Sequence, residues 1–219
     1  MKKLLLLFAA LLVAGCGEKS SSEGSESASE SATPPSEDVK PSADSPKPLI
    51  SDVDVERLLK EAVDMESLEE RDGLFYLNGE LYSGWLKQMY DSGQAGALVR
   101  LKDGKQDGPY TAWHENGQKA MEGTKPDGLC TEWHENGQKK AEETYKDGEL
   151  DGPATYWHAN GLKQIEATYK DGKQDGPATY WHENGQKGKA ATYKDGELVS
   201  AKYWNSKGEE VETLEEAEK

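Results

Sequence analysis

The chain has 219 residues, with 26 basic and 42 acidic side chains and a formal charge of −16. An excess of that size repels nucleic acid and anionic lipid headgroups, so neither is an expected partner. There are two cysteines, Cys16 and Cys130, too few for a disulfide framework, so packing has to hold the fold.

Met1, Lys2 and Lys3 form a short cationic segment, and Leu4 to Val13 form an apolar run too short to span a bilayer, the pattern of a secretory leader. The end of that run, Val13-Ala14-Gly15-Cys16, resembles the lipobox of bacterial lipoproteins. The resemblance implies a signal peptide at 1–15, cleavage before Cys16 and a diacylglycerol on its thiol. Acyl chains contribute about 0.8 kcal/mol per buried methylene, enough for several of them to anchor a protein to a membrane without a transmembrane helix. Removing the leader takes Lys2 and Lys3 and leaves 24 basic against 42 acidic groups, −18. Gly17 stands where inner-membrane retention favours Asp, so the resemblance implies an outer-membrane protein of the bacterial cell envelope.

Residues 16–50 are dominated by Ser, Glu and Pro and bury too little to offset chain entropy, so they are expected to be a disordered tether. Roughly 30 flexible residues span about 30 Å. In the segment 51–71, Ser51 precedes Asp54 by three residues, and Val55, Leu58, Leu59, Ala62 and Val63 follow at helical spacing. This predicts a short amphipathic helix that caps the open edge of what comes next.

Residues 72–208 repeat. The pattern DGPATYWHENGQK, followed by a segment ending in TYKDG, brings a shared glycine to Gly93, Gly117, Gly137, Gly161, Gly185 and Gly208, at spacings of 24, 20, 24, 24 and 23. In each unit a run such as Ala178 to His182, rich in β-branched and aromatic residues, stops at Asn184-Gly185 and resumes from Gln186 to Tyr193 before Asp195-Gly196. Asn-Gly and Asp-Gly supply the positive φ of tight hairpin turns, so each unit is two antiparallel strands. The fold class is therefore all-β: an elongated antiparallel meander, preceded by one short helix and a disordered linker. Glycines and prolines inside every unit exclude a helical array. A Glu-rich tail occupies 209–219.

The DG-x4-W-x-x-NG-x-K spacing with KDG turns between resembles the MORN-type repeat, in particular a bacterial variant found in lipoproteins and in antitoxin-like proteins. The resemblance implies an interaction or membrane-associated module. Two units depart from it. The first has Met89-Tyr90 in place of Trp-His, and the third lacks four residues at Lys125-Pro126-Asp127-Gly128.

The recurring side chains form ladders, and the candidate binding residues are Trp113, Trp133, Trp157, Trp181 and Trp204 with Tyr156, Tyr180, His158 and His182. Strand alternation puts Trp181 and Thr179 on one face and Tyr180 on the other. Which face also receives Ile165, Ala167 and Tyr169 depends on whether the Asn-Gly loop holds two residues or three. The tryptophans are either a core ladder joining successive repeats or an exposed aromatic platform. Histidines about 10 Å apart cannot share a metal, and no cofactor is expected. No nucleophile turn, phosphate loop or singular carboxylate points to an enzyme. The first functional reading is a lipid-anchored scaffold that contacts an envelope protein; the second is a glycan or cell-wall binder using the Trp and Tyr rings; the third follows only from the antitoxin-like label.

Overall fold

The computed structural model describes residues 49–218; the leader, Cys16 and all but the last two residues of the expected tether lie outside them. Helix α1 (Asp52–Glu61) starts where the capping pattern predicts, the Ser51 hydroxyl accepting the Asp54 N–H at 3.2 Å. It ends at Ala62, whose backbone is extended, and so is shorter than the segment 51–71. The rest of that segment pairs instead. Strand β1 (Val63–Asp64) runs parallel to β5 (Gly84–Met89), and a 3-10 turn follows at Met65–Ser67. Strand β2 (Glu69–Arg71) joins β3 (Leu74–Leu77) and β4 (Glu80–Leu81) in a separate small sheet.

From β5 the chain is a strict meander, each strand bonded to the one before it. Its strands are β6 (Ala95–Lys102), β7 (Lys105–Trp113), β8 (Lys119–Lys125), β9 (Gly128–Trp133), β10 (Lys139–Lys146), β11 (Glu149–Trp157), β12 (Lys163–Lys170), β13 (Lys173–Trp181), β14 (Lys187–Lys194), β15 (Glu197–Trp204) and β16 (Glu210–Val211). With β1 they make one sheet of 13 strands. Helix α2 (Leu214–Ala217) follows, so the segment read as an acidic tail carries a strand and a helical turn.

Two turn types alternate along the sheet except between β8 and β9, where Pro126-Asp127 makes the turn. At Asp103-Gly104, Asp147-Gly148, Asp171-Gly172 and Asp195-Gly196 both residues have positive φ and the flanking residues pair directly, as in a two-residue type I′ hairpin. The Asn-Gly loops are different. His114 N–H donates to Gln118 C=O and Gly117 N–H to His114 C=O, enclosing three residues, Glu115-Asn116-Gly117, of which only the glycine has positive φ. The same bonds recur at His134, His158 and His182. The three-residue loop is the type I turn with a glycine bulge, and it settles the register: Ile165 pairs with Tyr156 and Tyr180, and Ala167 with Ala154 and Ala178.

One row of directly opposed residues crosses the sheet from β5 to β15: Leu86, Val99, Tyr110, Gly123, Cys130, Glu143, Ala154, Ala167, Ala178, Ala191 and Ala201. All are buried except the last, which is half-buried. This is how a sheet buries a core within its own layer. The rows that flank it on that face carry Tyr145, Tyr156, Tyr169, Tyr180 and Tyr193.

Helix α1 does not cap the edge. The β5 edge is covered at Leu86 and Lys87 by β1, while the helix lies on the sheet face. Ile50, Leu58, Ala62 and Leu98 form a buried cluster there, with Val55, Leu59, Trp85 and Trp113 packed against it. The Lys87 ammonium donates to Leu59 C=O at 3.0 Å.

Candidate functional site

The predicted binding residues divide between the two faces of the sheet. Trp113, Trp133, Trp157, Trp181 and Trp204 share one face with an alternating row of Thr111, Glu122, Thr131, Glu142, Thr155, Glu166 and Thr179. Tyr156 and Tyr180 belong to the other face, beside the alanine row. The ladder proposed from sequence is thus two surfaces rather than one.

Each tryptophan is half-buried, neither a sealed core residue nor an open platform. A lysine from the preceding hairpin lies over four of the five rings: Lys119 over Trp133 at 5.5 Å, Lys139 over Trp157 at 5.6 Å, Lys163 over Trp181 at 5.7 Å and Lys187 over Trp204 at 5.3 Å. Three of these lysines also bind a carboxylate three residues on, Lys119 with Glu122 at 2.5 Å, Lys139 with Glu142 at 2.6 Å, and Lys163 with Glu166. In the fourth, Ala190 stands where the others have Glu. The lysine follows Trp113, Trp133, Trp157 and Trp181 by six residues, whereas Glu210 holds that place after Trp204; its contact is with the next unit's Trp, which strand periodicity alone does not give.

On the opposite face the tyrosines form a continuous polar chain. Glu143 is only 2% exposed, and its carboxylate accepts from Tyr145 Oη at 2.9 Å and from Tyr156 Oη. Tyr156 bonds in turn to Tyr169, Gln174 donates to Tyr169 and Tyr180, Tyr180 donates to Tyr193, and Lys189 Nζ donates to Tyr193 Oη at 2.7 Å. Burial, then the neighbouring Glu143 carboxylate, holds the Tyr156 phenol far above its ordinary range. Burial is also the first cause at Tyr169 and Tyr180, both raised. The sign follows. A raised folded-state pKa contributes stability that is complete below about pH 10, the unfolded tyrosine value, and is lost as pH climbs toward the folded value. Alkaline titration should therefore show a fraction of the phenolate absorbance appearing only as the β-sheet circular dichroism collapses. Ionisation of every tyrosine with the dichroism intact would contradict this.

The histidines bind units to one another. His114, His134, His158 and His182 place Nε2 at 3.0, 3.1, 3.3 and 2.9 Å from the carbonyl oxygens of Trp133, Trp157, Trp181 and Trp204. A carbonyl only accepts, so Nε2 carries the proton. In the departing first unit Tyr90 Oη donates to Trp113 C=O at 2.7 Å, the same bond from a different donor. His158 and His182 are therefore tied to backbone. Asparagines add a second rail. Asn116, Asn136, Asn160 and Asn184 donate to carbonyls of Glu135, Ala159, Glu183 and Ser206 in the following loop at 2.7–2.9 Å.

The family described as MORN repeat variant matches residues 126–147, which run from the Pro126 turn through β9 and β10. The chain carries a MORN-type repeat. No curated protein matches the chain. The hairpins beyond that match reproduce its residue pairings, Thr131↔Glu142 recurring as Thr155↔Glu166 and Thr179↔Ala190. A shallow depression of about 300 Å³ lies beside α2, lined by Tyr180, Trp181, His182, Lys189 and Leu214. Its histidine and lysine are held by the bonds already described.

Proposed function

We propose that this is a non-enzymatic repeat protein of the cell envelope, anchored by lipid at Cys16, that uses the Trp-bearing face of its sheet to bind another envelope protein. The observation that carries this reading is α1 itself. An amphipathic helix already seats its apolar stripe on Trp85, Leu98 and Trp113, and the same Trp position recurs at Trp133, Trp157 and Trp181 beyond the helix. Half-buried Trp rings flanked by paired Lys and Glu have the composition of an interface: an aromatic anchor inside a polar rim. The lipobox-like sequence supports the anchor, and the MORN-type repeat supports a binding rather than a catalytic role.

The glycan reading requires an open ring face on each Trp, whereas Lys119, Lys139, Lys163 and Lys187 lie over Trp133, Trp157, Trp181 and Trp204, and Trp113 packs against the α1 cluster. A photocrosslinking residue at Lys139 or Lys163, compared with one at Tyr180 on the other face, tests the assignment in intact cells. Adducts to a defined envelope protein from the Trp face alone are expected. Adducts only from Tyr180, or protection of Trp fluorescence from acrylamide by cell-wall fragments without any protein adduct, would overturn it. Mass spectrometry of the mature amino terminus tests the anchor separately: Cys16→Ala should abolish the acyl mass and release the protein from membranes.

A further inference from the structure

Five Asn-Gly pairs occur in the described chain, and the fold treats one of them differently. At Asn116, Asn136, Asn160 and Asn184 the side-chain oxygen accepts the N–H two residues on at 2.9–3.0 Å. Their amide nitrogens donate to the next loop. The following glycine N–H is engaged as well, donating to the carbonyl of His114, His134, His158 or His182 at 2.9 Å. Both groups needed for intramolecular amide attack are thus held in place. Asn78-Gly79 has neither restraint. It forms the turn between β3 and β4, both residues have positive φ and are exposed, and among the described residues neither the Asn78 side chain nor the Gly79 N–H makes a hydrogen bond.

We infer that Asn78 is a site of spontaneous covalent modification in this protein, losing its side-chain amide to the Gly79 backbone nitrogen while the four loop asparagines are protected by the hydrogen bonds that join the repeats. In the reaction the Gly79 nitrogen attacks Cγ of Asn78, the bond from Cγ to the side-chain nitrogen breaks, and ammonia departs with the proton lost from the glycine N–H. Water then opens the resulting succinimide at either carbonyl, giving Asp or isoaspartate. No oxidant or reductant takes part. Glycine is suited to the step because it has no Cβ to obstruct the approach, and a Cβ at Gly79 would meet nothing within 4 Å, so no neighbour shields it. The product places a new negative charge on the tip of a hairpin whose strands dock on the first repeat, where Phe75 N–H donates to Gly104 C=O and Gly104 N–H to Tyr82 C=O.

The four protected sites must break at least two hydrogen bonds before attack, which at the usual net strength of such bonds slows them by roughly tenfold or more. The test is a timed incubation of the full-length protein at mildly alkaline pH, followed by peptide mapping that separates Asn, Asp and isoaspartate. Asn78 should convert roughly tenfold or more faster than the other four. In concentrated urea the five rates should converge, because the protection belongs to the fold. Asn78→Asp, which suits the turn conformation that Asp72 adopts, should remove the fast phase of ammonia release. Equal rates at all five sites in the folded protein would overturn the inference, as would a gap that persists unchanged in urea.

Discussion

Replacing Leu98 with Ala is expected to lower stability by about 2–5 kcal/mol, the range for a large aliphatic side chain removed from a well-packed site. Leu98 is 0% exposed and sits beneath α1 against Ile50, Leu58 and Ala62. It occupies the row position that later strands fill with Glu122, Glu142 and Glu166. A large apolar residue stands in this row only at Leu98, where α1 covers the face, so its loss removes the support of α1 together with its own burial. Urea unfolding followed by far-ultraviolet dichroism reads the cost, and a red shift of tryptophan emission at zero denaturant reads the exposure of Trp85 and Trp113. Glu166→Ala in the uncovered part of the same row is the comparison. Glu166 and Lys163 are each about half exposed, and such a pair contributes about 0–1 kcal/mol. A Leu98→Ala variant as stable as Glu166→Ala would remove the case for α1 as an integral part of the Trp face.

Much of this architecture could be read from the repeated residues, and the reasons are local. Asp-Gly between lysines and strand formers specifies a two-residue turn, because Asp tolerates positive φ and Gly follows it. The same reasoning holds at Asn78-Gly79 but not in the repeats, where two- and three-residue loops were both open and Asn116 and its counterparts spend their side chains on a turn that needs only one positive φ. Adjacent Trp and Tyr had to face opposite ways, which divides the predicted ladder into two surfaces. What could not be read depends on partners distant in sequence. Glu69 to Arg71, an acidic stretch with little β propensity, becomes a strand because Asp72-Gly73 turns it onto Leu74–Leu77. Glu143 stands where other units have Ala167 and Ala191, a visible departure with Tyr145 two residues along the same strand, yet its second donor, Tyr156, comes from the neighbouring strand and emerges only once register is known. The expected place of α1 at the open edge was wrong for the same reason: amphipathic spacing predicts an apolar stripe and says nothing about which edge or face receives it.

Gly123→Ala should destabilise the protein by about 1–3 kcal/mol despite adding a better strand former. In an unobstructed strand, replacing glycine with alanine gains about 0.5–1 kcal/mol because the unfolded chain loses freedom. Here the new Cβ would lie 2.6 Å from Tyr110 Oη and 2.8 Å from its Cζ. Tyr110 is 1% exposed, and its hydroxyl donates to Cys130 Sγ at 3.2 Å, so the ring has no empty space to enter. The steric cost therefore exceeds the entropic gain. Gly123 pairs directly with both Tyr110 and Cys130, and the corresponding trio farther along the row is Ala167 with Ala154 and Ala178. One large ring beside a glycine stands where the later units pair alanine with alanine. The compensation can be measured. Tyr110→Ala alone should cost about 3–5 kcal/mol through the cavity it leaves, and the double variant Tyr110→Ala, Gly123→Ala should be more stable than the two single effects predict, with a coupling of about 1–3 kcal/mol. Additive single effects in a urea-unfolding cycle would mean that the glycine serves some purpose other than making room for the ring.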